Sequence, residues 1–177
     1  MKTDLTQTQK DYAVFLPSIS GFYATFIGKQ RFSEYVDPVR VPSGLNGMEG
    51  MNFLNNKEGA FHYKWALYSA GHADLDTNKF VEKEDMVRNR DRENTWLLGD
   101  SGGFQIAKGL WEGDWTSETC PNAQKKRKLV VDWMEEYMDY GMMLDIPTWT
   151  FQDPKASAAS NIKSYDDAVK ATHINAK

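Results

Sequence analysis

Apolar positions in this chain fall in short runs broken by glycine or proline, with one longer stretch at helical spacing. From Ala123 to Tyr140, Leu129, Val130, Trp133, Met134, Tyr137 and Met138 recur every three or four residues, which predicts an amphipathic helix. A basic first turn, Lys125-Lys-Arg-Lys128, precedes them, and Gly141 is a stop. Met142-Met-Leu144 then reads as a short buried strand ending at Asp145, with Pro147 blocking its continuation. Thr95-Trp-Leu-Leu98 reads as a second strand ending at Gly99-Asp100, and Tyr12-Ala-Val-Phe-Leu16, closed by Pro17, as a third. Between Pro17 and Asn56, Gly21, Gly28, Gly44, Gly47 and Gly50 predict loops and short hairpins. Phe61 to Ala70 (FHYKWALYSA) carries helix formers and ends at Gly71, which predicts a helix. The charged run from Val81 to Asn94 predicts a solvated helix or loop. Ser101-Gly-Gly-Phe-Gln-Ile-Ala-Lys108 predicts a glycine-rich turn that opens a short helix. Ser164, followed three residues later by Asp167, predicts a capped helix running to Lys177. A chain finishing inside a helix is expected to be a fragment, or one half of something split.

Composition narrows the class. With 177 residues, 41% hydrophobic and 26% charged, the chain reads as a single globular domain over residues 1–177. A chain this long buries roughly two thirds of its unfolded surface, so no metal or disulfide is needed merely to fold. The lone Cys120 fits a reducing, cytoplasmic setting. The N-terminus carries Asp4 and no apolar run of signal-peptide length, and no run approaches the ~18 apolar residues of a membrane span. The 21 basic against 25 acidic residues, net −4, give no global attraction to nucleic acid, so any phosphate contact must be local.

Strands alternating with helices predict an α/β fold with a parallel sheet, because a parallel neighbour needs a crossover. Asp100 and Asp145 would then leave their strands at the same C-terminal edge, where α/β proteins place ligands and chemistry. A carboxylate directly after an apolar strand is poorly solvated and needs partners or a proton, which suits general acid–base work. The competing reading is that each Asp caps a helix or binds turn amides. Gly102 and Gly103 favour a site, since a turn without side chains lets a flat ligand lie against backbone amides.

Gly99-Asp100-Ser101-Gly102-Gly103 admits two enzyme readings. One is the nucleophile segment of chymotrypsin-like proteases, with Ser101 attacking and His62 or His72 and Asp85 or Asp91 upstream. That fold needs two all-β barrels, which this pattern does not supply, and Phe104 stands where a proline is expected. The other is more specific. Asp100-Ser-Gly-Gly-Phe-Gln105 after an apolar strand resembles the signature of the tRNA-guanine transglycosylase family, and Met142-Met-Leu-Asp-Ile-Pro147 resembles its second acidic motif. The match covers residues 95 to 147. Members of that family are TIM barrels that exchange a guanine in nucleic acid for a 7-deazaguanine, and bacteriophage relatives act on DNA.

The resemblance implies a partial (β/α)8 TIM barrel, its N-terminal half, since a complete barrel needs about 250 residues. It implies that Asp100 is the acid–base residue that takes a proton from the incoming base. Ser101, Gly102 and Gly103 would lie against the nucleobase, and Phe104 would stack on its face or, without the family, be a core residue. Gln105 would present an amide to a base edge, or cap the following turn. Asp145 would accept hydrogen bonds from the guanine-like amino and ring N–H groups, as an ionised carboxylate can. The partners implied are tRNA or DNA, a 7-deazaguanine base, and a second chain that completes the barrel. The family's Asp nucleophile lies in the later half of its barrel and has no recognisable motif here. The family's zinc site uses several Cys and one His, whereas this chain has one Cys and, near its end, only His173, so no cofactor is expected. The alternative is a base-binding or nucleic-acid-binding subunit without turnover.

Three weaker signals remain. Lys125 to Lys128 would meet phosphates or simply solvate a helix end, where at an N-terminus it opposes the dipole. Asp74-Leu-Asp-Thr-Asn78 brushes a calcium loop, but Lys79 stands where glycine is required, which favours a local turn. His62 and His72 share no ligand spacing and read as structural or surface groups. The six Trp read mostly as core or interface, with Trp149 the candidate for the mouth near Asp145.

Overall fold

The computed structural model describes residues 14–33, 36–57 and 59–177. In chain order they form α1 (Gly21–Phe32), β1 (Trp65–Ser69), α2 (Asp85–Arg88), β2 (Trp96–Asp100), α3 (Gly103–Ala107), α4 (Pro121–Tyr137), β3 (Tyr140–Gly141), α5 (Pro154–Ser160) and α6 (Tyr165–Asn175), with short 3-10 turns between. The fold is mixed α/β. Its sheet is parallel, in the order β1-β2-β3, and Ser18 adds a parallel bridge to Leu67 on β1. Among the described residues no helix is long and apolar enough to cross a membrane.

The chain divides into two compact units. The described residues up to Tyr68, with Asn78–Leu98, form the first. Here Ser20 caps α1, its Oγ accepting the Tyr23 N–H at 3.1 Å. A β-carbon on Gly28 would collide with the Glu82 carbonyl oxygen, so glycine is what lets α1 lie directly on the Glu82–Glu84 turn. That turn begins a buried charge network. Glu84 is fully buried and its Oε2 takes the Arg88 Nε–H at 2.8 Å, while Arg88 also donates to the Lys79 carbonyl at 3.0 Å. Asp85 accepts from Arg31 at 2.8 Å and from the Asn89 amide at 2.7 Å. Burial, reinforced by Glu84 and opposed by Arg88, raises the Tyr68 hydroxyl above the ordinary tyrosine range. Trp65 and Trp96 stack at 5.9 Å where β1 and β2 pair.

Several sequence expectations are overturned in this unit. The run from Val81 to Asn94, expected to be solvated, instead buries Val81, Glu84 to Arg88 and Arg90, because Glu84 pairs with Arg88 and Asp85 with Arg31 while Val81, Met86 and Val87 fill the space between. The helix expected over Phe61 to Ala70 is strand β1. A strand buried on both faces gives a continuous apolar run, which periodicity does not separate from a buried helix. Of the strand expected over Tyr12 to Leu16, Tyr12 and Ala13 lie outside the described residues, and the parallel pairing falls beyond Pro17, at Ser18. The Pro17 to Asn56 stretch expected as loops and hairpins contains the 12-residue α1, since Gly21 and Gly28 sit within a capped helix.

Ser69–Thr77 and Gly99–Lys177 form the second unit. Its core gathers Ile106, Trp115, Ala123, Leu144, Ile146, Ile162, Ala168 and Ala171. The long helix appears as expected, α4, opened by Pro121 and ending at Tyr137, three residues before the predicted end. The chain turns extended at Met138, whose side chain fills the space a Gly99 β-carbon would need. Strand pairing is confined to Tyr140–Gly141, so the buried strand expected over Met142 to Leu144 does not form: Met142 and Met143 are exposed and only Leu144 is buried, although Met142 N–H reaches the Gly99 carbonyl at 2.8 Å. Ser164 caps α6 through the Asp167 N–H at 3.1 Å, and the helix ends at Asn175.

Removing one partner of a buried ion pair strands the other, at a cost of about 3–5 kcal/mol. Arg88→Leu is therefore expected to lower stability by that amount in denaturant titrations, and the double variant Glu84→Leu/Arg88→Leu to recover much of it. A single variant as stable as wild type would contradict the role given to the pair.

Candidate functional site

All seven residues singled out from the sequence lie in the second unit. β2 delivers Asp100 at its C-terminal end. Gly102 then adopts a left-handed conformation, φ 77°, that reverses the chain into α3. Its hydrogen side is crowded: a β-carbon there would lie 2.8 Å from both the Gly71 nitrogen and Trp111 Cη2. At Gly103 the approach is tighter still, since a β-carbon would collide with the Asp145 carbonyl oxygen. Two glycines in sequence thus let the β2–α3 turn rest directly on the backbone that carries Asp145.

That contact brings the two motifs together. Ser101 is buried, and its hydroxyl donates to Asp145 Oδ1 at 3.2 Å while accepting the Gly103 N–H at 3.4 Å. Asp145 is otherwise exposed and Asp100 half-buried. Neither aspartate caps a helix: α3 has no side-chain cap, which removes the capping reading. The Asp145 Oδ2 and the Asp100 carboxylate take no hydrogen bond from a described residue, so both are open to a ligand's donors.

Phe104 is 54% exposed, which removes the core reading. It meets Trp149 edge to face at 6.0 Å, so Trp149 does stand beside the Asp145 loop. Gln105 turns inward, its amide occupying the space over Gly71, and its backbone carbonyl takes the Leu110 N–H at 2.8 Å. Gly71, expected as a helix stop, serves instead to admit this side chain.

Sequence reasoning missed the residues that hold Asp145 in place. The Thr172 hydroxyl accepts the Ile146 N–H at 2.9 Å, and the Asn175 amide donates to the Leu144 carbonyl at 2.8 Å. Both backbone neighbours of Asp145 are therefore pinned by α6. Arg127 in turn donates to Asn175 Oδ1 at 2.6 Å and to the Trp115 carbonyl at 3.1 Å. Thr172 and Asn175 are three residues apart, on one helical face, which was the available signal.

The basic cluster accordingly divides. Arg127 is an internal strut, Lys128 pairs with Asp132 at 2.7 Å, and Lys126 lies 4.9 Å from the centre of the Trp111 ring. Burial, then the Lys125 charge, lowers the Lys126 ammonium below the usual lysine range. Asp74 makes the local turn, its Oδ1 accepting the Asp76 N–H at 3.1 Å, and His62 and His72 are exposed. Among the described residues no cluster of three or more His, Cys, Asp or Glu side chains could hold a metal ion.

Overpacking at a close backbone approach costs about 1–3 kcal/mol. Gly103→Ala is expected to lose that much stability and to raise hydrogen exchange at Asp145 and Ile146, whereas Gln105→Ala leaves the exchange of those amides unchanged. Unaltered exchange in Gly103→Ala would show that the glycine contact does not position the loop.

No family model matches the chain, nor does any curated protein or solved structure.

Proposed function

We propose that this chain is the base-recognising part of a nucleic-acid guanine transglycosylase, corresponding to the N-terminal half of a (β/α)8 barrel. The observation that carries the reading is the hydrogen bond from Ser101 to Asp145, which joins the two motifs whose resemblance to that family is seen in sequence. The sheet gives further support. Ser18, β1, β2 and β3 are parallel neighbours in chain order with helices in every crossover, as successive barrel strands are.

In this reading the ionised Asp145 accepts the amino and ring N–H groups of a guanine-like base, with Ser101 fixing one of its oxygens. Phe104 covers the base face, and Gly102 and Gly103 leave room for the ring beside their amides. The outgoing guanine leaves C1′ as a carboxylate bonds there, the guanine nitrogen taking up a proton from Asp100. The incoming 7-deazaguanine nitrogen then displaces that carboxylate and gives its proton to Asp100. The attacking carboxylate belongs to a second chain completing the barrel, and the target base is first flipped from its stack. A subunit that binds base without turnover keeps the same pocket, and the exchange assay separates the two.

Hydrogen bonds to a charged group contribute about 1.5–3 kcal/mol. Asp145→Ala should therefore weaken 7-deazaguanine binding about 10- to 100-fold in calorimetry, with the fold retained by circular dichroism. Asp100→Asn should keep the affinity and abolish labelled-guanine exchange in the completed assembly. Unchanged affinity in the first variant, or wild-type exchange in the second, would overturn the assignment.

A further inference from the structure

Beside the Ser101–Asp145 pair lies an aromatic surface that extends past the base pocket to Trp149 and Lys108. Phe104 and Trp149 are 54% and 38% exposed, and their rings meet edge to face. The Lys108 ammonium sits 5.2 Å from the Phe104 ring centre and 5.6 Å from that of Trp149. Lys108 is itself exposed, one turn along α3 from Phe104. Two aromatic faces in water with a cation held over both are costly to leave uncovered, and this lysine makes no ion pair with a described residue.

We propose that Trp149 and Lys108 form a platform for a single-stranded nucleic acid, with an unpaired base next to the target stacking on Trp149 and its phosphate resting on Lys108. This rests on the reading of the site given above. The chemistry favours an unpaired strand, because an aromatic platform needs an open base face and a duplex keeps its faces stacked. The cation beside the rings supplies the phosphate contact that stacking alone lacks. With a net charge of −4 the chain offers no general attraction for polyanions, so the affinity depends on local groups of this kind. Phe104 is shared: its face belongs to the target base, its edge to Trp149.

Fluorescence anisotropy with short labelled DNA and RNA strands, and with the matching duplexes, tests the platform. Trp149→Ala should weaken single-strand binding about tenfold, as expected for one lost stacking contact, and Trp149→Phe should retain most of it. Lys108→Gln should lower the slope of log affinity against log salt by about 0.7, the share of one single-strand phosphate, and Lys108→Arg should restore it. The DNA and RNA arms identify the polymer. Wild-type single-strand affinity in both Trp149→Ala and Lys108→Gln, or duplex bound as tightly as single strand, overturns the proposal. Calorimetry with free 7-deazaguanine keeps the two readings apart. Loss of strand binding with base binding intact supports the platform, whereas platform-dependent strand binding by a wild type that ignores the base would leave the platform standing and remove the transglycosylase reading.

Discussion

The second unit depends on one close approach, the Gly103 backbone against the Asp145 carbonyl, where any side chain would collide. Because the turn after β2 can sit that near, the Ser101 hydroxyl reaches Asp145 Oδ1. The opposite side of the same loop is held by α6, through Thr172 on Ile146 N–H and Asn175 on the Leu144 carbonyl. An exposed carboxylate is thereby supported on both flanks without being buried. It keeps an open oxygen while losing the freedom that would make binding costly.

The first unit solves a different problem by the opposite means. Glu84 and Arg88 are taken out of water as a pair, and the buried Asp85 is matched by Arg31, whose side chain reaches in from the surface. Burial of this kind makes the arrangement sensitive to loss of either partner, and it ties α1 to the turn before α2. In the second unit the corresponding strut is Arg127, whose guanidinium spans α6 and the Trp115 carbonyl.

Legibility in the sequence followed the physics of each segment. The 3.6-residue period of α4, the Ser164 cap and the glycine pair opening α3 are local signals, and each element lies near its expected place. β1 has the pattern of a helix because a doubly buried strand shows no alternation. The run around Glu84 has the pattern of a solvated segment because charge alone does not reveal a partner four residues away. Asp100 and Ser101 are legible because a strand end and a glycine turn mark them locally, whereas Asp145 lies in the extended segment past β3 and not directly after a strand. Thr172 and Asn175 are not legible, since their shared helical face does not reveal which loop, 26 to 31 residues earlier, they brace. Lys108 is a similar case, as only the fold lays it across two rings.

The central claim is geometric: a flat purine-like ring is held by Asp145 on its hydrogen-bonding edge and by Phe104 on its face. A crystal structure with 7-deazaguanine tests this most directly. The account predicts ring and amino nitrogens at about 2.7–3.2 Å from the Asp145 carboxylate, with Ser101 still bonded to Oδ1 and Asp100 facing the ring. A ring bound elsewhere, or one lying on Phe104 without touching Asp145, would contradict it.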